Sequence, residues 1–169
     1  MKVAFLDRDG TINKDYPDEH WRWIRSPEIL PGAIEGMQFL NQKGYEIIIV
    51  SNQYLIGEGI ISLEQYESFT AQLLRLLQKN HVSLLDVFYC PHSRAANCNC
   101  CKPNPGLIQQ ALRKYPDIEL STSFLCGDSQ ADLGLAENMG LSFYGIRIGK
   151  HPIASFADQI GRASCRERV

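Results

Sequence analysis

Short runs of consecutive apolar residues alternate along this chain with longer stretches in which apolar positions recur every three or four residues. The first rhythm marks strands buried on both faces, the second amphipathic helices. Residues 2–7 read as a short apolar strand that ends in acid. A helix is expected over 32–43, opened by Pro31-Gly32 and closed at Gly44. Tyr45 to Val50 is a near-continuous β-branched run and reads as a second buried strand. Ser62-Leu63-Glu64-Gln65 fits a capping box, so a helix should run from there to about Asn80. Leu84 to Tyr89 is the third strand candidate, and Pro105 suits the first turn of a helix reaching about Tyr115. Ser123 to Cys126 reads as a fourth strand, Ala131 to Met139 as a helix ended by Gly140, and Ser142 to Ile148 as a fifth strand.

Strand and helix thus alternate, without a visible internal repeat. That order predicts an α/β fold: a three-layer, Rossmann-like parallel sheet with helices on both faces. In such sheets ligands bind beyond the carboxyl ends of the strands, near the point where strand order reverses. The chain places polar residues at three of those ends: Asp7 and Asp9, Ser51 and Asn52, and Asp128 with Asp132.

Composition narrows the class without changing the fold. The 169 residues suit one core, and a single domain is expected over 1–160. The formal net charge of −2 carries no basic field for nucleic acid or an anionic membrane surface. No apolar run approaches the roughly 20 residues that cross a bilayer. Met1 to Leu6 meets Asp7 too soon for a signal-peptide core. A cytoplasmic monomer acting on a small molecule is the expectation. The last stretch, 161–169, is basic and lacks apolar periodicity, so it is expected to be a non-native or disordered tail.

The strand-end residues suggest a chemistry. Asp7 and Asp9 lie two apart on a turning loop, with Gly10 to allow the turn. Such a pair can converge on Mg²⁺, a hard cation that prefers oxygen ligands. One aspartate can act as a nucleophile toward phosphorus while the second moves protons. An ordinary Asp-Gly surface turn would look the same taken alone. Ser51 and Asn52 can donate hydrogen bonds to phosphoryl oxygens, or simply cap a strand. Lys102 can neutralise a transferring phosphoryl group, although most lysines are solvated surface residues. Asp128 can complete a metal shell and Asp132 can orient Asp128 or Lys102; either can instead cap a helix.

In combination these elements resemble a known family. Asp7-Arg8-Asp9-Gly10-Thr11-Ile12-Asn13, Ser51-Asn52-Gln53, Lys102-Pro103 and Gly127-Asp128-Ser129-Gln130-Ala131-Asp132 are similar, in order, to the four motifs of the haloacid dehalogenase phosphatases. The resemblance covers about residues 2–148. It is closest to the branch holding heptose 1,7-bisphosphate phosphatases and histidinol-phosphate phosphatases. It implies Asp7 as nucleophile and Asp9 as general acid and base. It implies Mg²⁺ held by Asp7, Asp128 and the Asp9 carbonyl. Ser51, Asn52 and Lys102 would hold the phosphoryl group, with Thr11 and Asp132 in support.

A second cluster lies between 90 and 101. Cys90-Pro91-His92 is followed by Cys98-Asn99-Cys100-Cys101. Four of the six cysteines crowd into this polar loop, which favours a metal in a reducing compartment over disulfides. Two short ligand pairs suit a tetrahedral Zn²⁺, with Cys90, His92, Cys98 and Cys100 as the expected ligands. The same branch carries a Cys-x-His…Cys-x-Cys loop. The site would be structural.

Two positions depart from that branch. Cys101 stands where an arginine is usual, and Glu58 stands at another arginine position. Both changes remove positive charge beside the expected substrate. Cys101 is also a competing zinc ligand. The spacing leaves no room for a separate cap domain. The loop from Lys14 to Ser26, with Trp21 and Trp23, either overhangs the site or packs as ordinary core. The leading expectation is a phosphatase for a sugar phosphate. The rivals are histidinol phosphate hydrolysis, a nucleic-acid-end phosphatase, against which the acidic balance argues, and a zinc-stabilised binding module without turnover.

Overall fold

The computed structural model describes residues 1–148. Five parallel strands form one sheet: β1 Val3–Leu6, β2 Glu46–Asn52, β3 Asp86–Cys90, β4 Phe124–Gly127 and β5 Ser142–Gly145. Their order is β3-β2-β1-β4-β5. Helices α1 Ala33–Gln42, α2 Tyr54–Gly57, α3 Leu63–Lys79, α4 Gly106–Lys114 and α5 Gln130–Met139 connect them. The expected tail at 161–169, and the expected domain end at 160, lie outside the described residues. Among the described residues no helix is long and apolar enough to cross a membrane.

Strand alternation builds the two outer layers. Ala4, Leu6, Ile47, Ile49, Phe124 and Cys126 point to one face, where α1 and α3 bring Met37, Leu40, Leu73 and Leu77. Val3, Phe5, Ile48, Val50 and Leu125 point to the other, against Leu107, Ile108 and Ala111 of α4 and Leu135 and Ala136 of α5. Period-two alternation of wholly apolar strands requires cover on both faces, which is why these runs contain so little polar sequence.

A smaller third cluster joins Trp21, Leu55, Ile61, Tyr66 and Phe69. It contains the one buried residue of the 3-10 segment Asp18–Trp23. That segment, α2 and a second 3-10 turn at Arg94–Ala96 were not expected from the pattern. Elements of six, four and three residues are too short to display a helical period.

Several bounds differ from expectation. β2 runs on to Asn52, and β3 covers Asp86–Cys90 rather than Leu84–Tyr89. β5 stops at Gly145, three residues early, because Arg147 adopts a left-handed conformation (φ 61°) that turns the chain out of the sheet. The Ser62 hydroxyl accepts from the Gln65 N–H as a capping box requires, but the Gln65 side chain donates instead to the Trp21 carbonyl at 3.0 Å. The reciprocal box forms at α5, between Ser129 and Asp132.

Strand order places the site. From β1 the chain moves to one side for β2 and β3, then returns to the other side for β4 and β5. The crevice of reversal lies between the carboxyl ends of β1 and β4, where Asp7 and Asp128 emerge.

Candidate active site

Asp7 follows β1 directly, and its N–H donates to the Cys126 carbonyl at 2.9 Å, continuing the pairing with β4. The Arg8 carbonyl then accepts from the N–H groups of Thr11, Ile12 and Asn13, which closes a tight turn. Gly10 occupies that turn at φ +88°, and a Cβ there would collide with the Asp128 carboxylate. Glycine is needed twice over, for the backbone and for the space that Asp128 fills.

Lys102 organises the floor. Its ammonium donates to Asp7 Oδ1 at 2.8 Å, Asp132 Oδ1 at 2.6 Å and the Val50 carbonyl at 2.9 Å. Lysine, Asp7 and Asp132 are all buried. The other Asp132 oxygen accepts from the Ser129 N–H and hydroxyl at 3.1 and 2.7 Å. Both readings of Asp132, helix capping and orientation of Lys102, therefore describe the same side chain. Asn52 pins the lysine backbone: its Oδ1 accepts from the Lys102 N–H at 2.8 Å and its Nδ2 donates to the Lys102 carbonyl at 3.1 Å. Ser51 is buried and accepts from Gln53 at 2.6 Å. Thr11 donates to Asp7 Oδ2 at 3.5 Å.

Asp9 is gripped from three sides. Arg8 donates to both its oxygens at 2.7 and 3.0 Å, Asn13 donates at 2.9 Å and Gln53 at 3.0 Å. The Arg8 guanidinium is itself enclosed by the rings of Trp21, Tyr66 and Phe69.

Electrostatics at the floor favour a cation. Burial pushes the Asp7 carboxyl well above the usual carboxylate range; Asp132 and Asp128 add to this and Lys102 opposes it. Burial raises Asp128 as well, with Asp132 adding and the Asp7 hydrogen bond opposing. For Lys102 burial works against charge, yet Asp132 and Asp7 prevail and hold it above the ordinary lysine range. Carboxylate oxygens of Asp7, Asp128 and Asp132 lie within 4.8 Å of one another. Since Asp132 is committed to Lys102 and Ser129, Asp7 and Asp128 remain to face a hard cation.

Above this floor opens a cleft of about 230 Å³. Asp15, Asp18 and Trp21 of the loop over 14–26 line it, so that loop does overhang the site. Trp21 is also core, since it packs on Phe69; Trp23 is exposed. Asp15 accepts from Trp21 Nε1 at 3.0 Å. Asp18 accepts from the Tyr54 hydroxyl at 3.1 Å.

The cysteine loop forms a compact second centre. Ligand atoms of Cys90, His92, Cys98 and Cys100 lie within 4.8 Å of one another. Cys90 Sγ is 2.9 Å from Cys100 Sγ and 3.5 Å from Cys98 Sγ, and His92 Nδ1 is 3.2 Å from Cys100 Sγ. A tetrahedron with metal–sulfur bonds of roughly 2.3 Å has edges of about 3.8 Å, so the cluster is of metal-binding size. Burial pushes the Cys90 thiol up to about 12. Burial works the other way from the net result at Cys98, where hydrogen bonds from Cys90 and from the N–H groups of Cys101 and Cys100 bring the thiol down to about 6. Cys101 falls outside the four. The loop is packed tightly on its neighbours: a Cβ at Gly57 would strike the backbone of Pro91–Ser93, and one at Gly106 the backbone of Asn99.

Comparison with known proteins agrees with this geometry. The polynucleotide kinase 3 phosphatase family matches residues 2–145. The chain belongs to this family of phosphatases. A D-glycero-alpha-D-manno-heptose-1,7-bisphosphate 7-phosphatase of Photorhabdus laumondii is 39% identical over 148 residues, covering 83% of this chain and 79% of the relative. One from Mycobacterium bovis is 40% identical over 136 residues, 80% and 71% of the two chains. Among solved structures, the D,D-heptose 1.7-bisphosphate phosphatase from B. bronchiseptica, complexed with magnesium and phosphate, shares the fold with a TM-score of 0.86. It is 23% identical, with 98% and 99% of the two chains covered. This phosphatase therefore has the haloacid dehalogenase fold and hydrolyses phosphoric monoesters.

Several residues that shape the phosphatase site escape a sequence reading. Gln53 and Asn13 hold Asp9, yet only their place inside two motifs hinted at it. Arg8 looks like a surface cation between two acids and is instead 2% exposed. Ser129 secures Asp132. The lining role of Asp15, Asp18 and Tyr54 carried no signal beyond their nearness to the first and second motifs.

Proposed function

We propose that this phosphatase is Mg²⁺-dependent and acts on a small sugar phosphate through a phosphorylated Asp7. The observation that carries the reading is the meeting of Asp7 and Asp128 at adjacent strand tips, both made costly as bare anions by burial, with Lys102 on Asp7. The donor set fits a hard cation: Asp7, Asp128 and the Asp9 carbonyl would hold Mg²⁺, which when bound shields the charge of the transferring phosphoryl group. The sugar phosphate follows from the names of the relatives at 39 and 40% identity.

Asp7 attacks phosphorus in line, and the P–O bond to the alcohol breaks. Asp9 lines the cleft and delivers a proton to the departing oxygen; it then takes a proton from water, which hydrolyses the aspartyl-phosphate. Lys102 holds Asp7 in place and balances its charge, while Asn52 fixes the lysine. Of Ser51, Asn52 and Lys102, the three expected to hold the phosphoryl group, Asn52 acts through the lysine backbone and Lys102 through Asp7, and the Ser51 hydroxyl is the direct donor. Thr11 and Asp132 support Asp7 and Lys102. Cys90, His92, Cys98 and Cys100 would hold a structural Zn²⁺, since four donors close the coordination shell. The reading includes a single domain over 1–160 without a cap, a cytoplasmic monomer, and no nucleic-acid or membrane partner; the formal charge of −2 supports the last of these.

The test is hydrolysis of p-nitrophenyl phosphate with and without Mg²⁺. Asp7→Asn should lower the rate by on the order of 10⁴-fold. Asp9→Asn should slow turnover and let phosphorylated enzyme accumulate, visible as an added phosphoryl mass. Equal rates for wild type and Asp7→Asn would overturn the reading.

A further inference from the structure

Among the described residues the cleft is lined by five carboxylates, Asp7, Asp9, Asp15, Asp18 and Asp128, and by one cation, Lys102. An ammonium has three N–H donors, and Lys102 spends all of them, on Asp7, Asp132 and the Val50 carbonyl. Two arginines stand behind the lining, and each is engaged by acid. Arg8 grips Asp9 with Nε and Nη2 and is buried among aromatic rings. Arg94, from the cysteine loop, lies over the Tyr54 ring at 4.2 Å. Its Nε and Nη2 each donate to a Glu58 oxygen at 2.8 Å, and Nη2 is 3.5 Å from Asp18. Glu58 therefore takes the Nε/Nη2 edge of the guanidinium and offsets its charge, so that a second phosphate meets an arginine already paired with acid.

Hydrogen-bond acceptors, by contrast, are abundant at the mouth. Asp15 accepts from the Tyr16 N–H and Trp21 Nε1 through the same Oδ1, leaving Oδ2 for a substrate donor. Asp18 has lone pairs beyond those used by Tyr54 and Arg94.

We propose that the substrate carries a single phosphate, with hydroxyls or an amine at its other end, and that the Glu58–Arg94 pair sets this preference. This rests on the cleft being a sugar-phosphate hydrolase site, as argued above. A second phosphate adds about two negative charges facing Asp15 and Asp18 and finds no unpaired guanidinium or ammonium in the described lining. Hydroxyls and amines present donors to those same acids. The pair links the cysteine loop to α2, so two segments remote in sequence from the attacking carboxylate decide what the leaving alcohol carries.

The experiment compares kcat/KM of the full chain with Mg²⁺ on four substrates: p-nitrophenyl phosphate, heptose 7-phosphate, heptose 1,7-bisphosphate and histidinol phosphate. One or both of the two biological monophosphates should exceed the bisphosphate by roughly tenfold or more, and which of them leads separates hydroxyl from amine recognition. Glu58→Gln, which releases Arg94, should narrow the monophosphate-to-bisphosphate ratio by about tenfold, through bisphosphate turnover. A wild-type bisphosphate value equal to or above both monophosphates overturns the proposal, whatever the variant does. An unchanged ratio in a folded Glu58→Gln protein removes the pair from the choice. No hydrolysis of any of the four, the aryl phosphate included, overturns the phosphatase reading and this proposal together; aryl turnover with a bisphosphate preference overturns this proposal alone.

Discussion

The carboxylate floor and the cysteine loop are two candidate cation centres assembled in opposite ways. The cysteine centre draws its four candidate ligands from the last residue of β3 and the loop after it, Cys90 to Cys100, a span of eleven positions. The floor joins Asp7 to Lys102 across 95 positions and Lys102 to Asp132 across 30. A local centre can be read from spacing, although Cys90 and Cys100 also belong to the core on one face of the sheet. A centre built from strand tips depends on sheet order, and its one cation, Lys102, is shared by the buried Asp7 and Asp132. Disturbing one member leaves a buried ion without its partner.

Lys102→Met is the sharpest way to break the contrast. It strands the buried Asp132 and Asp7 and should cost about 3–5 kcal/mol of stability with loss of turnover. Chemical denaturation checks this; a melt unchanged from wild type would show that the floor is not mutually balanced. Cys98→Ser should give a smaller loss, roughly 2–3 kcal/mol, together with loss of bound zinc by elemental analysis. Protein purified without chelator and found free of zinc would remove that centre's assigned role. The smallest effect concerns pH. Asp7 and Asp128 are raised in the fold, mainly by burial, so without Mg²⁺ the folded chain retains protons that the unfolded chain releases. Stability should then fall as pH rises from the ordinary carboxylate range through the raised folded values. Saturating Mg²⁺ should flatten that slope, because a bound dication favours the ionised carboxylates. Urea midpoints across pH 4 to 8, with and without the ion, measure both. Identical slopes would mean that the ion does not bind there.

Legibility followed the same division. Asp7, Asp9 and Gly10 form a local pattern after an apolar run, and their turn is closed by the Arg8 carbonyl within five residues. The Cys-x-His and Cys-x-Cys pairs were legible for the same reason. In sequence Glu58 reads as a loss of positive charge; the structure adds that an arginine 36 positions away supplies its partner. No spacing rule reaches that far. Gln65 shows the limit on a smaller scale. Its place three residues after Ser62 announces a capping box, but the Trp21 carbonyl takes its side chain. A tertiary partner replaced a local one.

By itself the sequence determined the strand and helix rhythm, the tight acidic turn after β1 and the crowding of thiols between 90 and 101. Each depends on residues close enough in the chain to constrain one another. Tertiary structure decided that Asp132 serves Lys102, that Asp9 is held by Gln53, and that Arg94 is tied to Glu58. A side chain's partner is set by which strand ends lie side by side, and that order is a property of the whole sheet.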